Sequence, residues 1–317
     1  MLDRLLGDEQ VGVLQGADRG LLGRLEDVID LAGPLPGRLG GLGHGVRQGG
    51  PGRHEAELGV HGHIGLDEDV RDNLQDGIVN AWETCDFTPD SLNWPKNKIA
   101  ALKAIFDGTK NSQGQPIYSG WYYDTGVNQP DWRAWKLGSS QTAKPDSRGV
   151  TLGAGSLVWY FMTPAAPDFD WHTFDFDRDT PKTNQTGAIN NAIGTDLSSF
   201  QARGGKLIVV TGVSDPVFSA KDQVAWFRQM QQDTKNAAGF SRLFMIPSMN
   251  HCGGGQAFND FDPLTALENW HDNNQAPAHL LAQGKSFPGK QMPICAWPRI
   301  ATYKSGDTAK AESFECQ

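Results

Sequence analysis

The sequence predicts an α/β protein built on a parallel sheet, and three observations support this class. Two short apolar runs lie in "GGKLIVVTGVSDP" and "SRLFMIPSMNHC", and each is followed by a polar loop. An amphipathic segment with a helical start signal follows each loop. Strand, loop and helix repeated in this order are typical of parallel α/β sheets.

The first strand–helix unit is predicted from residue 207 onward. Residues 207–210 form a short buried strand, and the loop after it carries Asp215. Ser219 and Asp222 form a capping box for the next helix. Its buried face consists of Val224, Phe227 and Met230, which recur at helical spacing.

The second unit repeats the pattern. Residues 243–246 form a strand, and the loop after it carries His251. In "DPLTALENW", Asp262 is the predicted N-cap and Pro263 the first helical residue. Leu264, Leu267 and Trp270 are expected to face inward.

Further upstream, "KNKIAALKAIFDG" predicts a helix that ends at Gly108. Its apolar residues are Ile99, Leu102, Ile105 and Phe106. Residues 109–195 are rich in Trp and Gly and show no clear period, so we expect an irregular, compact insertion or cap. Four tryptophans are expected to pack within it: Trp121, Trp132, Trp135 and Trp171.

The first 66 residues differ from the rest. They contain no Phe, Trp, Tyr, Lys, Ser, Thr, Asn or Cys, and the first aromatic residue is Trp82. A stretch without aromatic anchors is expected to be a disordered arm, or not a native reading frame at all. Metal binding by its four histidines is an alternative, although no ligand spacing repeats. The predicted organisation is therefore 1–66 as an atypical segment, 67–195 as an inserted domain and 196–317 as the α/β part.

Composition excludes several partners. The chain has 28 Lys and Arg against 37 Asp and Glu, a net charge of −9. Nucleic acids and anionic membranes both require a basic surface, so neither is an expected partner. No run of about 18 apolar residues predicts a membrane span. The first residues also lack the apolar core of a signal peptide.

The loops after the two predicted strands carry the candidate site. Polar residues at the carboxyl ends of parallel strands gather at one edge of the sheet. Asp215 followed by His251 matches the second half of the Ser, Asp, His order of α/β hydrolases. In these enzymes the imidazole takes the serine proton, and the carboxylate orients the imidazole. His251 could instead be a buried structural residue or a metal ligand beside Cys252. The four cysteines are too widely spaced for a C-x2-C zinc motif.

The nucleophile is missing from this pattern. No G-x-S-x-G pentapeptide occurs in the sequence. The nearest imitation is "GAGSL" around Ser156, which lacks the second glycine and lies in the irregular region.

Several segments together resemble the tannase and feruloyl esterase family from about residue 69 to the C-terminus. They are "GGKLIVVTGVSDP", "RLFMIPSMNHCGGG", "FDPLTALENWHDNNQAP", "CDFTPDSL", "FDGTKNSQGQPIYSGW" and "WHTFDFDRD". The resemblance implies a partial α/β hydrolase with a large irregular lid, in which Asp215 and His251 are the triad acid and base. The family serine lies in a Cys-Ser motif whose cysteine bridges to the one at position 252. This sequence has no counterpart of that motif in residues 1–66.

The resemblance also implies a structural calcium site in "DVRDNLQDGI". Its ligands would be the side chains of Asp69, Asp72 and Asp76 and the main-chain carbonyls of Leu74 and Ile78. Calcium prefers such oxygen ligands. A solvated acidic turn is the alternative, and the spacing is not that of an EF-hand.

A family disulfide is expected between Cys295 and Cys316, whereas Cys85 has no nearby partner. A disulfide implies an oxidising compartment, so the resemblance places the protein in the periplasm or outside the cell.

The predicted function is therefore hydrolysis of small phenolic-acid esters through a Ser-His-Asp triad. We expect this chain itself to be inactive because the serine is absent. One alternative is a non-catalytic, calcium-binding, aromatic-rich ligand-binding module. Another is the product of a truncated or misread gene.

Overall fold

The structure, a computed structural model, describes residues 72–140, 142 and 144–317. The expectations for residues 1–66, and for Asp69, lie outside these residues. The described strands are β1 Leu207–Gly212, β2 Ser241–Ile246, β3 Asp260–Phe261, β4 His279–Gln283, β5 Met292–Cys295, β6 Ala301–Tyr303 and β7 Phe314–Cys316. The described α-helices are α1 Lys96–Asp107, α2 Pro130–Lys136, α3 Arg148–Ser156, α4 Asn184–Asn190, α5 Ser198–Ala202, α6 Ala220–Asp233 and α7 Pro263–Asn273.

The two predicted strand–helix units are present. β1 and β2 pair in parallel, from Leu207 opposite Ser241 to Gly212 opposite Ile246, and α6 connects them. The side chain of Ser219 caps α6 by accepting from the N–H of Asp222. The predicted face of α6 is buried, with Val224, Phe227 and Met230 at most 1% exposed. The parallel α/β prediction is therefore confirmed.

The C-terminal part adds antiparallel strands. β3, β4 and β5 form one sheet, and β6 and β7 form another. An isolated bridge pairs Phe244 with Ala296, so β2 is tied to the segment after β5. The disulfide implied by the resemblance is present and joins Cys295 at the end of β5 to Cys316 in β7. Closing a loop of this length contributes roughly 3 kcal/mol of stability.

Helix α7 begins as predicted, because Asp262 accepts from the N–H of Thr265 at 2.9 Å. Trp270 is 1% exposed, but Leu264 is 62% exposed. The prediction that Leu264 faces inward is wrong. A residue six positions from another in an α-helix lies on a different side, since each residue turns the helix by about 100°.

The upstream region is more helical than the sequence predicts. α1 ends at Gly108, whose φ of 77° allows the chain to leave the helix as expected. Residues 109–195, expected to be irregular, contain α2, α3, α4 and a π-helix at Leu157–Phe161. These helices are short and start at local signals that the periodicity does not reveal, such as Pro130 at the start of α2 and Ser147 capping α3.

The buried apolar residues show how these parts are joined. One cluster combines residues of the 79–137 region, including Trp121 and Trp132, with Val209, Phe227 and Leu243 from the α/β part. A second packs Phe244 and Ile246 against β4 and β5. A further cluster lies within the inserted region around Leu157, Phe161 and Phe174. The division at residue 195 stays a prediction. The first cluster contains residues from both sides of this position.

Two of the four tryptophans expected to pack are in the core: Trp121 and Trp132 are 1% and 4% exposed. Trp135 and Trp171 are half-buried, and Trp171 stacks on His172. In the part of the chain that the structure describes, no helix is both long enough and apolar enough to cross a bilayer.

We predict that Leu243→Ala destabilises the protein by about 2–5 kcal/mol, because it opens a cavity where a fully buried side chain of β2 packs. The matched control is Leu281→Ala in β4, where the side chain is 50% exposed and the loss is expected to be below about 1 kcal/mol. Urea unfolding followed by tryptophan fluorescence measures both. Equal losses in the two variants would contradict this assignment of the core.

Candidate active site

Asp215 lies on the loop that follows β1, and its carboxylate is held in place by the backbone. Its Oδ1 accepts from the N–H groups of Val217 and Phe218 at 2.7 and 3.0 Å. The indole N–H of Trp121 donates to its main-chain oxygen at 2.9 Å. The residue is 5% exposed. These bonds fix one carboxylate oxygen and leave Oδ2 directed at the neighbouring loop.

His251 lies on the loop after β2 and faces this carboxylate. Its Nδ1 is 2.9 Å from Oδ2 of Asp215, and its side chain is 28% exposed. A carboxylate can only accept, so Nδ1 carries the proton of the neutral ring and Nε2 is its basic nitrogen. The structure therefore brings the two predicted residues together in the orientation that acid–base catalysis requires.

Gly212, the last residue of β1, allows the two loops to approach. A Cβ at this position would lie 2.2 Å from the carbonyl oxygen of Met249 and 2.6 Å from that of Asn250. Neither backbone atom can move away cheaply. Only glycine permits the end of β1 to pass so close to the residues that precede His251.

Aromatic rings and one lysine surround the pair. Phe218 and Trp135 meet the imidazole edge-on, with ring centroids 5.2 and 6.4 Å away. The Nζ atom of Lys136 lies 3.3 Å from the centroid of the Trp121 ring. Burial lowers the pKa of Lys136 to about 7, and the negative charge of Asp215 opposes this shift. Asp215 thus bonds an imidazole and acts electrostatically on a buried lysine.

Cys252 follows His251 directly and contacts its ring. Its Sγ lies 3.7 Å from Nε2 of His251. Burial first, and the charge of Asp215 second, raise the pKa of its thiol. This is the opposite direction to the lowered pKa that is typical of reactive cysteines. Among the described cysteines Cys252 forms no disulfide, and the bridge implied by the resemblance stays a prediction.

Sequence reasoning missed a buried carboxylate behind the pair. Asp124 is 0% exposed, and its Oδ2 accepts from Oγ of Ser214 at 2.6 Å and from the N–H of Ser248 at 2.7 Å. Its Oδ1 accepts from the N–H of Thr125 at 2.9 Å. The only sequence signal is an Asp-Thr-Gly turn in the Trp-rich region, which by itself indicates a local cap.

Ser156 does not have the environment of a nucleophile. It is the last residue of α3 and is followed directly by the π-helix Leu157–Phe161. Its hydroxyl donates to the carbonyl of Leu152 within the same helix. An activated serine requires a strand-to-helix turn and a neighbouring base.

The predicted calcium segment is described only in part. Asp72 and Asp76 each accept from a nearby backbone N–H, Asp72 from Leu74 and Asp76 from Ile78. Asn80 donates its backbone and side-chain N–H groups to Asp72. The residues that the structure describes hold no group of three or more His, Cys, Asp or Glu that could bind a metal, and the third carboxylate, Asp69, lies outside them. The calcium site therefore stays a prediction.

Solved structures with the same architecture are esterases. A feruloyl esterase B from Aspergillus oryzae superimposes with a TM-score of 0.69 at 15% identity, covering 98% of this chain and 66% of the other. A tannin acyl hydrolase from Aspergillus niger gives 0.67 at 15% identity, covering 99% and 58%. At this identity the likeness defines the fold, which is α/β-hydrolase-like.

Sequence comparison gives the family. The tannase and feruloyl esterase model matches residues 66–317, so the chain belongs to this family. A mono(2-hydroxyethyl) terephthalate hydrolase from Piscinibacter sakaiensis is 33% identical over 297 residues, covering 78% of this chain and 49% of the relative. A tannase from Aspergillus oryzae is 25% identical over 239 residues, covering 69% and 39%. The chain thus spans about half the length, or less, of these relatives.

We predict that Asp215→Ala removes the preference of His251 for the Nδ1–H tautomer. In the wild-type chain the carboxylate selects that tautomer, and its loss returns the ring to the mixture found in water. Imidazole 15N chemical shifts at a pH where the ring is neutral measure the tautomer. His271 is the matched control, because it also meets a carboxylate, Asp272, at 2.8 Å, but both side chains are about 70% exposed.

Asp272→Ala should change the His271 tautomer far less, since exposed pairs contribute about 0–1 kcal/mol. A His251 ring with its proton on Nε2 in the wild-type chain would contradict the proposed orientation.

Proposed function

We propose that this chain supplies the acid–base pair of a carboxylic ester hydrolase that acts on phenolic-acid esters. One observation carries the proposal, namely the 2.9 Å bond between Nδ1 of His251 and the buried carboxylate of Asp215 at the ends of adjacent parallel strands. Membership of the tannase and feruloyl esterase family supports it.

In the proposed reaction, Nε2 of His251 takes the proton of a serine hydroxyl as that oxygen attacks the ester carbonyl. The same nitrogen then protonates the leaving alcohol, and the cycle repeats with water on the acyl-enzyme. Asp215 keeps Nδ1 protonated and stabilises the imidazolium. Its own orientation comes from the two backbone N–H groups on Oδ1.

The rings next to His251 support an aromatic acyl group. Trp135 and Phe218 both meet the imidazole edge-on and present apolar surface beside it. A phenolic ring would bury its faces against such surface, because aromatic pairs add about 0.5–1.5 kcal/mol beyond area burial. The residues around the rings do not select one ester within this class.

We expect the 317-residue chain by itself to hydrolyse methyl ferulate or a nitrophenyl ester slowly or not at all. It contains neither a G-x-S-x-G motif nor the Cys-Ser motif that the resemblance implies for the nucleophile. Turnover by the purified chain that a fluorophosphonate blocks would contradict this expectation.

A chimera tests the pair itself. The segment of the Piscinibacter relative that precedes the region of similarity is joined to residues 67–317 to supply a nucleophile. We predict ester hydrolysis by this chimera and a loss of about 10⁶-fold in kcat on His251→Ala, the size seen when a triad histidine is removed. His271→Ala, at the exposed His–Asp pair, is the control and should leave kcat unchanged. Equal activity of the two variants would reject the assignment.

We also propose that the segment around Asp72 and Asp76 binds a structural calcium ion. The predicted donors suit calcium, since the carboxylates of Asp69, Asp72 and Asp76 and the carbonyls of Leu74 and Ile78 are hard oxygen ligands. Asp72 is 2% exposed, and a buried carboxylate is costly without a compensating cation. The ion would anchor the start of the inserted region to the core that Ile78 enters.

If so, adding calcium at about 100 times its dissociation constant stabilises the protein by about 2.7 kcal/mol. The rise in unfolding temperature that calcium causes should be absent in the variants Asp72→Asn and Asp76→Asn. It should persist in Asp168→Asn, which removes an exposed carboxylate of the same region. A shift of equal size in all variants, or one that magnesium reproduces, would reject the site.

A second candidate is a non-catalytic module that binds aromatic or carbohydrate ligands. Large exposed side chains in the π-helix Leu157–Phe161 favour it, since Trp159 is 67% and Tyr160 52% exposed. Binding that survives His251→Ala but not Trp159→Ala would support this candidate.

Membership of the family and the disulfide between Cys295 and Cys316 support secretion or export to the periplasm. Reduction of that disulfide in the native protein by a cytoplasmic glutathione buffer would argue against it.

A further inference from the structure

Asp124 connects three separate parts of the chain at one carboxylate. The residue precedes the 3-10 helix Thr125–Asn128 and is the N-cap of that helix. Its Oδ2 accepts from Ser214, on the loop after β1, and from the N–H of Ser248, on the loop after β2. A local cap needs only the bond from Thr125 to Oδ1, so the other two bonds serve a different purpose.

The two serines are placed next to the candidate site. Ser214 directly precedes Asp215, and Ser248 is three residues before His251. The ladder between β1 and β2 ends at Gly212 opposite Ile246, so it does not fix the loops beyond that point. One backbone bond, from Ser214 N–H to the carbonyl of Met249, joins the loops directly. The bond between Asp215 and His251 joins them as well. The Asp124 carboxylate adds a connection at Ser248, nearer the start of the His251 loop.

The backbone at Ser248 shows that this loop needs external support. Its φ is 61°, in the left-handed region that serine rarely adopts. Such conformations cost about 1–3 kcal/mol and persist only where surrounding contacts impose them. The N–H bond to Asp124 and the contact between the hydroxyls of Ser248 and Thr125 supply those contacts.

The carboxylate of Asp124 is enclosed as well as hydrogen-bonded. Asp124 is fully buried, and no ion pair between described residues includes it. Burial raises the pKa of Asp124 to about 6, although its three hydrogen bonds lower it. The three donors are therefore its polar partners in an enclosed site.

The space around the turn that carries Asp124 is restricted by the backbone of the two loops. Gly126 lies two residues on, and a Cβ there would be 2.4 Å from the carbonyl oxygen of Ser248 and 2.5 Å from Cβ of Ser214. The turn that carries Asp124 is therefore inserted tightly between the same two loops. Asp124 and Gly126 together define how far apart the loops lie.

We propose that Asp124 is a positioning residue that sets the distance and orientation between Asp215 and His251 by joining their two loops. Its importance for ester hydrolysis rests on the proposed function, but the positioning itself does not. The test therefore observes the imidazole directly and requires no turnover.

The experiment uses the full 317-residue chain labelled with 15N. In the wild type, His251 is expected to carry its proton on Nδ1, and that proton should exchange slowly with solvent. In Asp124→Asn, which keeps the shape but removes one acceptor oxygen and the charge, exchange should accelerate by on the order of tenfold. The Nε2–H tautomer of His251 should appear at the same time.

Asp222→Asn is the matched control. Asp222 is a half-buried aspartate whose burial raises its pKa. It lies in the first turn of α6, and its Oδ1 accepts from Ser119, so its carboxylate does not join the two loops as that of Asp124 does. This variant should leave the His251 signals unchanged. If Asp124→Asn lowers stability in urea and leaves the His251 signals as in the wild type, the role is structural only and the proposal is wrong.

Gly126→Ala provides an independent variant if Asp124→Asn does not fold. It keeps the carboxylate and pushes the loops apart with one methyl group, so the same change in His251 is expected. An unchanged tautomer and exchange rate in Gly126→Ala would also overturn the proposal. If the ester assay of the chimera fails while these NMR changes occur, the positioning role of Asp124 is supported. The catalytic role of Asp215 and His251 is then rejected.

Discussion

The parallel pairing of β1 with β2 is the constraint on which the site depends. With Gly212 opposite Ile246, both strands end at the same edge of the sheet and release their loops side by side. Asp215 and His251 then meet at 2.9 Å although 36 residues separate them in sequence. An antiparallel pairing would have placed the two loops at opposite ends.

The inserted region is part of this site rather than an appendage. Trp121, from that region, lies in the same apolar cluster as Val209 and Leu243 and donates to the backbone of Asp215. Asp124, three residues further on, contacts both loops. Residues that contact the loops of Asp215 and His251 therefore come from a segment whose sequence shows no regular period.

The electrostatic setting follows from this burial. Asp215 and Asp124 are both nearly inaccessible, and burial lowers the pKa of Lys136 while the charge of Asp215 opposes that shift. Desolvation strengthens the interaction between the imidazole and its carboxylate, since the effective dielectric constant falls. Partial burial and the charge of Asp215 raise the pKa of the Cys252 thiol next to the imidazole.

The sequence by itself determined the α/β class, the two strands, the capped helices α6 and α7, and the positions of Asp215 and His251. These features are local, because hydrophobic period, caps and chain order are all read from neighbouring residues. The face of Leu264, the helices within residues 109–195 and the role of Asp124 were decided only by the tertiary structure. A buried carboxylate that accepts from loops 90 and 124 residues away leaves no local pattern, since its partners become neighbours only when the chain is folded.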